Sequence, residues 1–399
     1  MNSSIGKRMA VTFDAAADRP QGEQEACVSY GPAHTLSPVS SPVPVAGQFK
    51  ADQRTERPMP RSAERPGASQ KKSGRGEHHR KDKRPKRDVH GWLVLDKPVG
   101  MTSTHAVSVV KRLFQAKRVG HAGTLDPLAS GLLPIAFGEA TKTVMYVMDG
   151  RKHYRFTVRW GEERDTDDAE GRVISTSEAR PTLADIEAAL PPFIGTIEQV
   201  PPQFSAIKVE GERAYDIARE GAAVELKART IEMHRLVCVG QPDPDHAEFV
   251  AECGKGAYVR AVARDIGRAL GCYGHVSALR RTAVGPFAES DMIPLAQVEA
   301  LCDRAAVGEA NLADALMPVA TALDDIPALA VSRADAAKLQ RGHAVLMRGR
   351  DAPIVRGTVY VTVAGQLLAL AELDRGEIVP KRVFNLAGLQ GRAGRQQGV

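Results

Sequence analysis

The sequence predicts an α+β fold followed by a second, smaller β-rich module. Three observations lead there. Strand-like runs outnumber helical ones, and the two kinds are interspersed. Apolar periodicity starts at Gly91 and changes character after Phe287. The 399 residues, 43% hydrophobic and 26% charged, suffice for two or three globular cores.

Residues 1–88 carry no sustained apolar period and are rich in Pro, Ser, Gly, Arg and Gln, so they are expected to form a disordered basic extension. Within it, residues 71–88 hold nine Lys/Arg and three Asp/Glu, which accounts for the whole formal charge of +6. Net charge therefore says nothing about whether the folded part meets RNA. The basic run reads as a solubilising tail, or as an over-extended start with Met59 as an internal candidate, rather than as an RNA-binding arm.

GWLVLDK, from Gly91, reads as a buried strand, and PVGMTS after it as a turn. Ser103 is the expected N-cap of a helix through about Ala116, with Val107, Val110 and Phe114 at helical spacing. HYRFTVRW (153–160) alternates like a strand with one buried face. Residues 182–190 read as a helix ended by Pro191-Pro192, and 223–239 and 247–253 as two strands joined by QPDPDH. YVRAVARDIGRAL (258–270) is an amphipathic helix with Val259, Val262, Ile266 and Leu270 on one face. Arg260, Arg264 and Arg268 form a second stripe, which at Arg264 and Arg268 reads as a solvated face.

Residues 288–325 are Ala-rich and read as a helical linker. Beyond it, RADAAKLQ forms a short helix ended at Gly342, and HAVLM, TVYVTV, LLALAEL and IVPKRVF read as strands. The expected domains are 1–88, 89–325, 326–388 and a frayed tail 389–399. Five scattered cysteines without a C-x-x-C pair argue against a disulfide framework or structural zinc. No apolar run is long enough for a bilayer, and the N-terminus lacks the apolar stretch of a secretory signal. A cytoplasmic setting is the expectation.

The most informative stretch is GHAGTLDPLASGLLPIAFGEATK (120–142). Pro127 biases Asp126 toward extended backbone, and the glycines around it let a ligand come close. An aspartate held this way presents its carboxylate from a stiff loop. Asp-Pro is equally a helix N-cap with Pro at the first turn, and the loop alone does not decide between the two.

GHAGTLDPLASG resembles the signature loop of the TruB family of tRNA pseudouridine synthases. DKPVGMTS (96–103), KHYRFTVRWGEERDTDDAEG (152–171), VPPQFSAIKVEGERAYDIAREG (200–221) and CGKGAYVRAVARDIGRALGCYGHVSALRRTAVGPF (253–287) resemble further blocks of that family, in its order. Ala129-Ser130-Gly131 stands where members often have Ala-Thr-Gly, and the long N-terminal extension is not part of the pattern. The resemblance implies a mixed, mainly antiparallel sheet of the pseudouridine synthase type, followed by a PUA-like RNA-binding module in which Gly342 would follow the first helix.

The resemblance also implies roles. Asp126 is the catalytic carboxylate, either attacking C1′ of the ribose or taking a proton from C2′. Arg260 pairs with it. Tyr154 stacks on the uracil, and its hydroxyl helps remove the C5 proton. Leu279 touches the target base, His121 fills the gap left by the flipped nucleotide, and Asp168 helps hold the flipped bases. Asp165, Asp167 and Glu170 read as a solvated acidic turn. Lys97 either contacts the RNA backbone or supports the active-site loop. No cofactor or metal is called for. The expected partner is the T arm of tRNA, with no membrane and no obligate protein partner, for a monomeric enzyme acting on position 55. Two alternatives stand beside this reading: a guide-RNA-dependent synthase, and an RNA chaperone that folds tRNA with modification secondary.

Overall fold

The computed structural model describes residues 85–386, apart from 206, 210–211, 214–225 and 348–355. The disorder expected of the extension up to residue 84 and of the tail from 389 lies outside the described residues, as does most of 206–225. Residues 85–88, assigned to the extension by the sequence, belong to the folded body. The Arg87 N–H donates to Gln115 O at 2.7 Å, and Lys117 N–H donates to Arg87 O at 3.1 Å.

The chain first lays down β1 (Gly91–Lys97), β2 (Val119–His121), β3 (Ser130–Phe137) and β4 (Lys152–Trp160). A small hairpin follows, β5 (Glu162–Arg164) and β6 (Val173–Thr176), then β7 (Gly195–Gln199) and a second hairpin, β8 (Lys208–Val209) and β9 (Glu212–Arg213). The long pair β10 (Arg229–Asp243) and β11 (His246–Cys253) leads to β12 (Gly274–Val284) and β13 (Ile293–Pro294). Nine of these strands form one sheet in the order β13-β1-β3-β12-β4-β11-β10-β7, with β2 also paired to β3. Its pairs are antiparallel except β1–β13 and β3–β12.

The strand β1 reads as a continuous apolar run because both faces of the sheet are covered there. Leu93 and Leu95 point into one core with Leu133, Ile135 and Phe137 of β3. Trp92 and Val94 point into the other with Leu132 and Ala136. The first core is closed by α1 (Ser103–Leu113), through Ala106 and Val110, and by α4 (Val259–Ala269), through Val259, Val262 and Ile266. Between them in sequence come α2 (Val144–Asp149), which buries Val147 in the second core, and α3 (Leu183–Ala189), opened by a capping box at Thr182. Asp243 and His246 close the tight turn of the β10–β11 hairpin, two registers beyond the expected strand end.

Two local expectations need correction. Thr102, not Ser103, caps α1, its hydroxyl accepting from His105 N–H at 3.1 Å. This frees Ser103 for another task. The Ala-rich stretch 288–325 is part of the sheet's own core and not a linker. β13 extends the sheet beside β1, α5 (Leu295–Ala306) buries Val298, and Met317 exchanges two 2.8 Å backbone hydrogen bonds with Trp92. Composition gave the helical bias but not these partners, which lie some 200 residues upstream.

The C-terminal module is a five-stranded sheet in the order β14 (Ala328–Ala330), β16 (Gly357–Val363), β17 (Gln366–Asp374), β18 (Glu377–Val383), β15 (Val345–Leu346), packed on α6 (Arg333–Gln340). The helix closes as the sequence predicts. Gly342 has φ +84°, and His343 N–H and Gly342 N–H bond back to Lys338 O and Leu339 O, a Schellman ending that requires the left-handed residue. The module is fastened to the main sheet's second core by Leu370 and Phe384, and by Lys142 Nζ, which donates to Glu139 at 2.6 Å and to Val383 O at 2.8 Å. Among the described residues no helix is long and apolar enough to cross a membrane.

Candidate active site

β2 and β3 are joined by the loop that carries Asp126, and the loop is built from inside. Leu125 and Ala129 sink into the first core and Ala122 into the second. Ala129 N–H donates to Asp126 O at 3.1 Å, so Asp126-Pro127-Leu128-Ala129 is a hydrogen-bonded turn with Pro at its second position. β3 follows at Ser130, so the helix-capping alternative for Asp126 falls away.

Three buried side chains hold the turn. Ser103 brackets Leu125, donating to its carbonyl at 2.9 Å and accepting from its N–H at 2.8 Å. Lys97 is fully buried, and its ammonium reaches Met101 O at 2.7 Å, Pro98 O at 2.9 Å and Pro127 O at 3.5 Å. Burial pushes the Lys97 amine down to about 8. Of the two roles open to Lys97, this geometry supports loop support and leaves no surface for an RNA phosphate. Arg281, from β12, donates to Gly123 O at 3.1 Å and Thr124 O at 3.3 Å. Ser103→Ala leaves the Leu125 amide and carbonyl buried without a partner, which is expected to cost about 1–3 kcal/mol. It should also slow turnover roughly tenfold by loosening the loop. Unchanged denaturant midpoint and rate in this variant would contradict that role.

Against the loop stands α4. Its N-terminus lacks a capping side chain, and Gln199 instead clasps Tyr258 by accepting from its N–H at 2.9 Å and donating to its carbonyl at 3.2 Å. The arginine stripe of this helix is a ladder of ion pairs in which Arg260 and Arg264 face inward, Arg264 against expectation, while Arg268, 52% exposed, stays at the surface as expected. Arg260, 5% exposed, places Nε 2.9 Å from Asp126 Oδ2 and Nη1 3.4 Å from Asp168 Oδ2. It also donates to Thr166 O at 2.8 Å and Phe204 O at 2.9 Å. The approach to Asp126 is an ion contact off the N–H line, because Nε makes no linear hydrogen bond. One turn on, Arg264 pairs with Asp167 at 2.9 Å and donates to Val200 O at 2.8 Å. A further turn on, Arg268 pairs with Glu163 at 2.6 Å.

The acidic turn is correspondingly not solvated at Asp167 and Asp168, whose side chains are 7% and 5% exposed. Asp168 accepts from Thr166 Oγ1 at 2.5 Å and from Glu170 N–H at 3.1 Å. Asp167 has φ +60°, a strained conformation for a non-glycine residue, which turns the chain so that consecutive carboxylates meet consecutive rungs of α4. Burial pushes its carboxyl up to about 6, against the pull of Arg264. A folded-state value above the unfolded one means that the folded protein holds the extra proton between about pH 4 and 6. The stability contribution of Asp167 is therefore present below that window and lost as pH rises through it. Comparing unfolding free energies of wild type and Asp167→Asn across pH 4–7 should show a steeper decline in the wild type; parallel profiles would contradict this.

Of the acids brought to α4 from elsewhere in the chain, Asp126 is the one that stays open: its side chain is 35% exposed, against 7% or less for Asp167, Asp168 and Glu163. Tyr154, on β4, lies on the same sheet face, half-buried, close enough to Asp126 to feel its charge; burial raises its phenol above the ordinary value. Leu279 is buried two cross-strand pairs further along, opposite Phe156. His121 ends β2, half-buried, with burial holding its imidazole below the usual range and Nδ1 without a hydrogen bond. No hydrogen bond or ion pair joins it to Asp126. A cleft of about 1070 Å³ is lined in part by His153, Glu232, His234 and Glu252 and does not include Asp126.

The expected pairing of Asp126 with Arg260 is present, and Asp168, expected to hold flipped bases, stands on Arg260 as well. Sequence reasoning missed Ser103, Arg281 and the Asp167–Arg264 pair, whose partners are backbone atoms or residues about 100 positions away.

Residues 111–259 match the family model described as TruB family pseudouridylate synthase (N terminal domain), and residues 260–324 match tRNA pseudouridylate synthase B C-terminal domain. A tRNA pseudouridine synthase B of Bradyrhizobium diazoefficiens is 72% identical over 315 residues, 79% of this chain and 91% of that protein. That of Rhizobium johnstonii is 56% identical over 311 residues, 76% of this chain and 99% of its own. Among solved structures, a chain from an H/ACA RNP bound to a substrate RNA containing 2'-deoxyuridine aligns with TM-score 0.59 at 23% identity, covering 74% of this chain and 85% of that one. A chain of a Cbf5-Nop10-Gar1 complex aligns with TM-score 0.58 at 25% identity, covering 74% and 84%.

Proposed function

Since the chain belongs to the TruB family of pseudouridylate synthases, we propose that it isomerises uridine to pseudouridine in the T loop of tRNA, at position 55, with Asp126 as the reacting carboxylate. The observation that carries the reading is the open Asp126 carboxylate 2.9 Å from an arginine that is itself sealed in.

The reaction breaks the N1–C1′ bond of uridine, turns the base and rejoins it through C5, whose proton is then lost. No electron changes hands. Asp126 in its ionised form either bonds to C1′ as the base departs or removes the C2′ proton. Arg260 fixes the direction of that carboxylate from behind, while Asp168 and the Thr166 carbonyl hold Arg260 in turn. This gives Asp168 a part at one remove from the nucleotide, through Arg260. A T-loop uridine is stacked and must be flipped out, at a cost of a few kcal/mol. Tyr154 offers the ring on which the freed uracil stacks, Leu279 an apolar contact beside it, and neutral His121 a flat surface to stand in the vacated place. The β-rich C-terminal module acts as a PUA-like grip on the tRNA away from the reacting base.

Affinity should fall with rising salt, because phosphate contacts supply much of it. The test is to incubate the purified protein with an unmodified tRNA transcript, without other RNA or protein, and to map pseudouridine at nucleotide resolution. Product at position 55 is expected. Product at another position, or a requirement for an added guide RNA, would overturn the reading.

A further inference from the structure

We propose that Arg281 is a positioning residue for this reaction, fastening the Asp126 loop with its guanidinium while its strand pairs it directly opposite Tyr154, so that carboxylate and phenol keep a fixed spacing. The proposal rests on the reading of Asp126 and Tyr154 given above.

The geometry begins with the sheet. One edge of β3 is taken by β1 along its length; the other is shared, β12 pairing at Ser130 and Gly131 and β2 at Ile135–Phe137. Between these the ladder forks, and the chain of β2 leaves it to form the Asp126 loop. Arg281 stands in the fork. Its Nε donates to Leu132 O at 2.8 Å, a carbonyl on the forked edge, while its two terminal nitrogens donate to Gly123 O and Thr124 O of the departing loop. Gly131 faces Arg281 in the ladder with φ +96°, and a Cβ there would come within 2.3 Å of Arg281 O, so the strands approach this closely only because residue 131 is glycine.

Across β12–β4, Arg281 lies directly opposite Tyr154, so both side chains rise from the same face. The charge of the guanidinium therefore stands beside the Tyr154 phenol and favours its ionised form. Arg281 is 2% exposed, yet among the described residues no carboxylate lies within ion-pair distance of it. A buried cation without an anion is costly, and carbonyls alone can be satisfied by neutral donors. The fork of donors explains an arginine's shape; the uncompensated charge is explained by the phenol it faces. Three groups act on that phenol: Arg281 from β12 eases its ionisation, while Cys253 from β11 and Asp126 from the loop oppose it, on top of the burial.

The test uses full-length Arg281→Gln and Arg281→Lys, with denaturant unfolding to confirm that each is folded. Single-turnover rate and affinity are measured separately on a T-arm RNA. Arg281→Gln is expected to lower the rate roughly a hundredfold with affinity held within about threefold, and Arg281→Lys to recover part of the rate. The second readout needs no substrate. In protein labelled with meta-fluorotyrosine, the Tyr154 fluorine resonance, assigned by its loss in Tyr154→Phe, should titrate about one pH unit higher in Arg281→Gln and move back in Arg281→Lys. A rate within twofold of wild type, or an unmoved Tyr154 titration, would overturn the proposal. If Arg281→Gln does not fold, the same two criteria apply to Arg281→Lys, with a smaller rate loss and an upward shift still required. Because the titration is independent of turnover, a failure of the Asp126 assignment would leave it intact and would show instead as an active Asp126→Asn protein.

Discussion

Asp126→Asn is expected to abolish pseudouridine formation, with a loss on the order of 10⁴-fold or more in single-turnover rate, while tRNA affinity changes by less than a few-fold. The substitution is nearly isosteric, and the turn that carries residue 126 is held by Ser103, Lys97 and Arg281 through backbone atoms rather than through the Asp126 carboxylate. The loop therefore survives. Arg260 keeps Asp168, Thr166 O and Phe204 O as partners, so no buried cation is stranded. What is lost is the anion. An amide neither attacks C1′ as a carboxylate does nor accepts a C2′ proton, and both routes stop together. The comparison of rate with affinity matters because a misfolded loop would lose both.

Arg260→Met is expected to be the most damaging change to the frame of the site. It removes the cation from Asp126 and Asp168 at once, and Asp168, 5% exposed, has no route to water. Breaking a buried pair from one side costs about 3–5 kcal/mol, since the remaining charge stays desolvated. Denaturant unfolding should show that loss, and turnover should fall at least a thousandfold because the carboxylate of Asp126 is no longer aimed. Arg260→Lys is expected to recover stability better than activity: an ammonium can meet one carboxylate but cannot reach both and the two carbonyls from one planar fork. Double substitution with Asp168→Asn should cost less than the sum of the single changes, because the stranded anion is gone. Additive losses in the two singles and the double would contradict the ladder.

Much of this was legible in the sequence, and the reasons are physical. β1 and α4 announce themselves by period, because a strand buried on both faces is apolar throughout and a helix on a sheet shows its stripe. The Asp126 loop announces itself by punctuation, with Gly and Pro placed where side chains or helical backbone could not be. Within the stripe Arg260, Arg264, Arg268, the solvated reading fails at Arg264 for an equally definite reason. A row of cations at helical spacing is usually a wet face, and nothing local says that Asp126, Asp167, Asp168 and Glu163 fold over it from about 100 residues away. Arg281 was invisible as a site residue because its partners are mainly main-chain carbonyls, which leave no residue-type signature. Lys97 stood open between an RNA contact and loop support because a lysine's type fits either; only the three carbonyls around its ammonium reveal the inner role.

The claim on which everything turns is that a flipped nucleotide meets the outer side of the Asp126 carboxylate while Arg260 braces the inner side. The most direct measurement is a crystal structure of Asp126→Asn bound to a T-arm stem-loop with its natural uridine. The account predicts that uridine outside the loop stack, its ring against Tyr154 and its ribose C1′ or C2′ hydrogen within about 3–3.5 Å of the residue 126 side chain. A uridine still stacked in its loop, or a ribose seated against any other acid of the protein, would contradict it.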